Sequence, residues 1–285
     1  MEGTVEMPRY GMVIDVAKCT ACYSCFIACK DEYWGNEYPP YSAGQPRYGQ
    51  FWINLVKKER GVYPYIKVAY MPFLCQQCNN PPCLKAAKDG AIYKKRSGIV
   101  LIDPQKGVGQ KQLLEACPYG VIFWNEEKQL AQKCTFCVHR LEEGKVPRCV
   151  QACPSGCIKF GDLNDPESEV AKLAASGKAE VYHPEWNTRP NVYYLNLDRM
   201  TMNFISGAVV LGDADECAEG AGITVKKPDG KTVRTRTNAF GNFELEGLMP
   251  GNYSVQIDLA GYASRSLAVE LKDSEYLGDI VLSRE

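Results

Sequence analysis

Hydrophobic and polar positions alternate clearly in only one part of the chain. From about Asn203 onward short runs of strand period are bounded by turn residues, as in Tyr253-Ser254-Val255-Gln256-Ile257-Asp258 between Gly251-Asn252 and Gly261. Asp229-Gly230 between Ile223-Thr224-Val225 and Val233-Arg234-Thr235 reads as a two-residue hairpin, and Gly241 and Gly251 punctuate later strands. About seven strands with one buried face fit there, predicting a small antiparallel β-sandwich or barrel over 203–285. Upstream the signal is helical at 167–176, then irregular through Pro184 and Pro190. Segment 33–70 is rich in aromatic residues and reads as packing material. No apolar run approaches the roughly 20 residues that span a bilayer; 204–211 is short and interrupted by Ser206 and Gly207.

At 285 residues the chain has room for two domains, 1–202 and 203–285. With 33 basic and 34 acidic residues its net charge is -1, which gives neither nucleic acid nor an anionic membrane surface a reason to bind. The chain holds 14 cysteines, all but Cys217 lying between Cys19 and Cys157. A disulfide framework needs an oxidising compartment, and residues 1–10 lack the apolar core of a secretory signal, so the expectation is a cytoplasmic chain with working thiols.

Cys19, Cys22, Cys25 and Cys29 follow C-x2-C-x2-C-x3-C, the run by which ferredoxins hold [4Fe-4S] clusters, its fourth member serving the other cluster of a pair. Zinc would take two such cysteines and seek two more far away, so a run of four argues against it. Cys134, Cys137, Cys149 and Cys153, closed by Pro154, repeat the device with a longer insertion. Exchange of fourth ligands gives one cluster on Cys19, Cys22, Cys25 and Cys153, and a second on Cys134, Cys137, Cys149 and Cys29. A third group, Cys75, Cys78 and Cys83, has Ala87 where its fourth cysteine would stand. Cys117-Pro118 looks like the end of another group, whose first three positions are Gly107, Gln110 and Leu113. Those four non-cysteine positions are what the loss of one exchanged cluster would leave. Cys75, Cys78, Cys83 and Cys117 remain as a complete third set, and Cys157 and Cys217 are left as small packing residues.

The pattern Cys117-Pro118-Tyr119-Gly120, Lys133-Cys134, Pro147-Arg148-Cys149-Val150 and Cys153-Pro154 resembles the four-cluster ferredoxin subunits that accompany molybdopterin enzymes of the dimethyl sulfoxide reductase family. Segments such as Met12-Val13-Ile14-Asp15-Val16-Ala17-Lys18-Cys19, Gly98-Ile99-Val100-Leu101-Ile102-Asp103-Pro104 and Arg189-Pro190-Asn191-Val192-Tyr193-Tyr194 are similar to those members that serve transhydroxylases and hydroxylases of hydroxylated aromatics. That resemblance implies an α+β fold. A nested ferredoxin-like region would have an outer unit of about 8–33 and 118–200 and an inserted unit of about 70–117, with the β-domain after it. It also implies a large catalytic subunit holding the molybdopterin, an external electron carrier, and no active site in this chain. Consistently, the sequence has no G-x-G-x-x-G, P-loop or nucleophile motif. Electron transfer for another enzyme of the same family and clusters that only staple the fold are the alternatives. Gly241-Asn242-Phe243 and Gly251-Asn252-Tyr253 resemble sandwich domains appended to carboxypeptidases. Lys18, Lys133 and Arg148 flank ligand positions, where a cation would raise a cluster's potential or simply sit in a surface pair. His139 and His183, the only histidines, are read as non-ligands.

Overall fold

The computed structural model describes residues 7–214 and 216–285. The chain forms two units: one takes in the chain up to Lys57 and Tyr70–Leu197, the other Lys58–Ala69 and Asp198–Glu285.

In the first unit β1 (Tyr10–Asp15) runs through a single 3-10 turn (Val16–Lys18) towards α1 (Ser24–Tyr33). The ribbon β2 (Ile53–Val62) and β3 (Tyr65–Leu74) follows, its 58–69 portion belonging to the second unit, then α2 (Pro82–Ala86) and two hairpins, β4 (Ile92–Lys94) with β5 (Val100–Ile102) and β6 (Phe123–Asn125) with β7 (Leu130–Gln132). Next come α3 (Val138–Glu142), α4 (Arg148–Gln151), β8 (Ile158–Asp162), α5 (Glu169–Ala174) and β9 (Val192–Leu195). β1 is the centre of a three-stranded sheet, antiparallel to β8 with Ile14 opposite Ile158, and parallel to β9 with Ile14 opposite Tyr194. A strand paired on both sides and covered on both faces should be continuously apolar, and Met12, Val13 and Ile14 are all buried. This sheet joins segments about 150 residues apart and sets the ends from which the first cysteine loop and the last cysteine depart.

In the second unit α6 (Asp198–Thr201) precedes β10 (Asn203–Leu211), β11 (Glu216–Cys217), β12 (Gly222–Lys226), β13 (Thr232–Arg236), β14 (Asn242–Leu248), β15 (Gly251–Asp258), β16 (Arg265–Leu271) and β17 (Glu275–Leu282). One sheet is ordered β13-β12-β15-β16; in the other β10 pairs with β11, β14 and β17. Val209, Ile223, Val225, Phe243, Val255 and Ile257 belong to the shared core, so β15 buries alternate residues as its pattern predicts.

Three expectations are corrected here. Among the described residues the sandwich has eight strands where the pattern reads about seven, because β11 is only two residues long and carries no periodicity. It is not antiparallel throughout: β17 lies parallel to β10, Val209 opposite Ile280, since it arrives from β16 in the other sheet and turns Ile280 and Leu282 inward. The Asp229-Gly230 hairpin has a longer loop than two residues, with Lys226 opposite Thr232 and Gly230 at φ +82°, so that Pro228 begins the turn and the glycine supplies its left-handed residue.

The unit boundary also differs from a single cut at 203. Lys58–Ala69 joins the C-terminal unit because Arg60 is buried there, donating to the Met202 carbonyl at 2.9 Å over the Phe204 ring, while Lys67 pairs with Glu244 and Glu246. Nothing in the pattern of 33–70 announces these long-range partners.

Candidate metal centres

Each cysteine group is built on a short loop that ends in a helix start. In the first, Ala21 (φ +56°) and Tyr23 (φ +59°) are left-handed and wind the chain so that Cys19 and Cys22 come round towards Cys25 in the first turn of α1. Cys25 and Cys29 lie one helical turn apart, and both are buried. The group before α3 repeats the winding with Phe136 (φ +53°) and Cys137 (φ +50°). Such left-handed turns point backbone N–H groups inward, a concavity suited to anionic sulfur. The Phe136 N–H donates to Cys134 Sγ at 3.4 Å and the Arg148 N–H to Cys137 Sγ at 3.5 Å.

Twelve cysteines gather in three sets. Cys25 is pushed up to about 12, first by burial and then by repulsion from Cys19 and Cys153, with Cys22 adding to it. Cys22 is exposed, Cys19 and Cys153 partly so. Cys29 is raised by burial, then by Cys137, Cys134 and Cys149, and all four are buried. Cys75, Cys78, Cys83 and Cys117 line one cavity with Val100, Tyr119 and Lys133. There burial pushes Cys78 up to about 12, with Cys75, Cys83 and Cys117 contributing. Thiols crowded this way resist ionising together unless iron takes up their charge. Four thiols per set, met by backbone donors and, in the second set, wholly buried, fit a [4Fe-4S] cube.

The middle set neighbours both others. Cys149 is raised in part by Cys25 of the first, and Cys134 in part by Cys75 of the third. Lys133 stands between the second and third sets, only 2% exposed, donating to the carbonyls of Val100 and, at 3.2 Å, Cys134. Burial opposes its charge, but Cys75, Cys83 and Cys134 outweigh that and hold its pKa above the ordinary value. The other flanking cations make surface pairs: Lys18 is 3.7 Å from Asp15, and Arg148 is 3.6 Å from Glu32 and donates to Gln151 at 2.8 Å. His139 stacks on Tyr38 and bonds Glu32 at 2.9 Å, and His183 bonds Glu185 at 2.7 Å.

The four positions at which the spacing would place another set are occupied by packing and hydrogen-bonded residues. Leu113 is wholly buried among Ile92, Ile102, Ile122 and Ala131, with Ala87, Cys83 and Cys117 in the same cluster. Gln110 accepts from the Lys88 N–H at 3.0 Å and donates to the carbonyls of Lys88 and Lys106 at 3.0 and 2.9 Å. A Cβ at Gly107 would lie 2.8 Å from both the Asp103 carbonyl oxygen and an Ile102 methyl. The two cysteines outside the ligand count differ: Cys217 is exposed on β11, whereas Cys157 is buried with Sγ 3.5 Å from Cys153 Sγ. The only hint was its spacing of four from Cys153.

Cysteine sets wound from loops into helix starts are those of a ferredoxin-type iron–sulfur protein, and the 4Fe-4S dicluster domain family matches residues 66–163. The carboxypeptidase regulatory-like domain family matches 205–283, the sandwich. A tetrathionate reductase subunit of Salmonella typhimurium is 37% identical over 67% of this chain and 73% of its own. The arsenate respiratory reductase iron-sulfur subunit of a Shewanella species is 32% identical, covering 66% and 96%. The chain belongs to the iron–sulfur subunits of dimethyl sulfoxide reductase-family molybdopterin oxidoreductases. Within that family it is 43% identical, over 97% of its length and all of the relative's, to the pyrogallol hydroxytransferase small subunit of Pelobacter acidigallici. Among the described residues no helix is long and apolar enough to cross a membrane.

Proposed function

We propose that the chain holds three [4Fe-4S] clusters and exchanges electrons with a large molybdopterin-containing subunit that acts on hydroxylated aromatics, as a transhydroxylase or phenol hydroxylase. The observation that carries this is the gathering of Cys19, Cys22, Cys25 with Cys153, of Cys29 with Cys134, Cys137, Cys149, and of Cys75, Cys78, Cys83 with Cys117. When bound, each cube supplies a one-electron couple. The protein's part is to fix the sulfurs, exclude water from the second and third sets, and place Lys133 where added negative charge is favoured. The exposed Cys22 gives the row an end close to solvent or to a partner. An aromatic substrate is favoured over tetrathionate or arsenate by the relative matched along its whole length.

The C-terminal unit, whose one cysteine is exposed, serves assembly with the large subunit or its stability. A cytoplasmic placement is part of this reading, in keeping with reduced thiols. The test is iron and acid-labile sulfide analysis of the complex isolated without oxygen, which should give about twelve of each per chain. About sixteen, or zinc in place of iron, would overturn the cluster assignment. Assay of the same complex against a panel of phenols, with and without an electron carrier, tests the substrate class; inactivity on all of them would sink it.

A further inference from the structure

The first set has a fifth cysteine. Cys153-Pro154-Ser155-Gly156 closes a turn in which the Gly156 N–H donates to the Cys153 carbonyl at 3.3 Å, with Gly156 at φ +62°. The turn brings residue 157 back beside residue 153. Its carbonyl accepts the Asp15 N–H at 2.8 Å, so the backbone of Cys157 is pinned to the end of β1, next to the loop that carries Cys19. The side chain is 2% exposed, 3.5 Å from Cys153 Sγ, and hydrogen-bonded to Cys19 as well.

A four-iron cube takes four terminal ligands, and Cys25 faces Cys19, Cys153 and Cys22. Cys157 stands behind two of these, its sulfur 3.5 Å from that of Cys153 and beside that of Cys19. Once Cys19 and Cys153 are iron-bound thiolates they can only accept, so the sole remaining proton is that of Cys157 and the direction of the bond is fixed. Ser155 Oγ lies 3.6 Å from Cys153 Sγ and reinforces the same side. Resting on the three-cluster reading, we propose that Cys157 is a non-ligand thiol whose single S–H is donated to the sulfur of Cys153 and shared with that of Cys19, and that it raises the reduction potential of the first cluster relative to one without this donor. The physical ground is that a donor to ligand sulfur stabilises the reduced, more negative cube more than the oxidised one. Cys157 is thus a positioning and tuning residue and not a ligand.

Iron in the unaltered complex is measured first and tests the three-cluster reading alone. Cys157→Ala and Cys157→Ser are then compared by iron content and by redox titration followed through the paramagnetic signals. Both variants should keep the iron of the unaltered protein. The alanine variant should show one of the three midpoints displaced to lower potential with the other two in place, and the serine variant, which keeps a donor, should restore it. Three unmoved midpoints in the alanine variant would reduce Cys157 to a packing residue. Loss of four irons from Cys157→Ala while Cys153→Ala keeps its iron would make Cys157 the ligand; either result overturns the proposal.

Discussion

The Tyr33 hydroxyl and the Thr135 hydroxyl share a hydrogen bond of 2.7 Å in the interior, tying the end of the helix that carries Cys29 to the loop between Cys134 and Cys137. Two segments about a hundred residues apart are thereby clamped around the second set. Tyr33→Phe keeps the ring packing against Trp52 but leaves Thr135 without this partner, at a cost of about 1–3 kcal/mol. The variant should lose visible cluster absorbance to an iron chelator faster than the parent; an unchanged rate would show that the clamp is unnecessary.

Of the three cations that flank ligand positions, Lys18, Lys133 and Arg148, Lys133 alone is buried, and it stands beside two sets. Replacing it by Met removes a positive charge close to Cys75, Cys83 and Cys134, which should lower the midpoints of the second and third clusters and leave the first in place. It also leaves the Val100 carbonyl without that donor, so stability should fall by about 1–3 kcal/mol. Lys133→Arg should recover the potentials if charge is the cause. Potentials equal to the parent's in the Met variant would rule the charge out.

Restoring cysteine at Ala87, Gly107, Gln110 and Leu113 together should not bring a fourth cluster. A side chain at Gly107 collides with the Asp103 carbonyl, and Gln110 satisfies the Lys88 and Lys106 backbone groups. Iron content should stay at about twelve per folded chain. Leu113→Ala alone should cost about 2–5 kcal/mol in denaturant unfolding, as a wholly buried leucine in a closed core. A gain of four irons would mean that the plug is soft.

In the second unit burial works against the charge of Glu246, but Lys67 and Arg60 outweigh it and hold the carboxyl below its ordinary value. A depressed carboxyl contributes stability that is present above its unfolded pKa of about 4.3 and is lost as pH falls through the folded value. Amide exchange in peptides from 198–285 should therefore accelerate on acidification below about pH 4, and Glu246→Gln should blunt that response. A response unchanged by the substitution would place the acid sensitivity elsewhere.

The cysteine sets were legible because ligand spacing is a local code, and the strand alternation of 253–258 was legible because one buried face imposes a period of two. What escaped depends on partners far along the chain. No local pattern tells Arg60 that Glu246 and Phe204 await it, or tells β17 to run parallel to β10. Lys133 was noticed as a neighbour of Cys134, but its burial follows from Val100 and Cys75 closing over it. A count of ligands cannot distinguish Cys157, a spare thiol beside two others, from Cys217 on an exposed strand.

The filling around Gln110 and Leu113 has an electrical meaning. With cubes in the three cysteine sets, apolar side chains and saturated backbone groups form an insulator beside the third, where a fourth station would otherwise stand. In the proposed arrangement the row has no fourth station in that direction. Under the proposed three-cluster arrangement the row would be a short reservoir of fixed capacity, with the exposed Cys22 at one end and the half-buried Cys117 at the other. For a reaction that returns every electron it borrows, such a store is sufficient, and a longer line would only offer a leak.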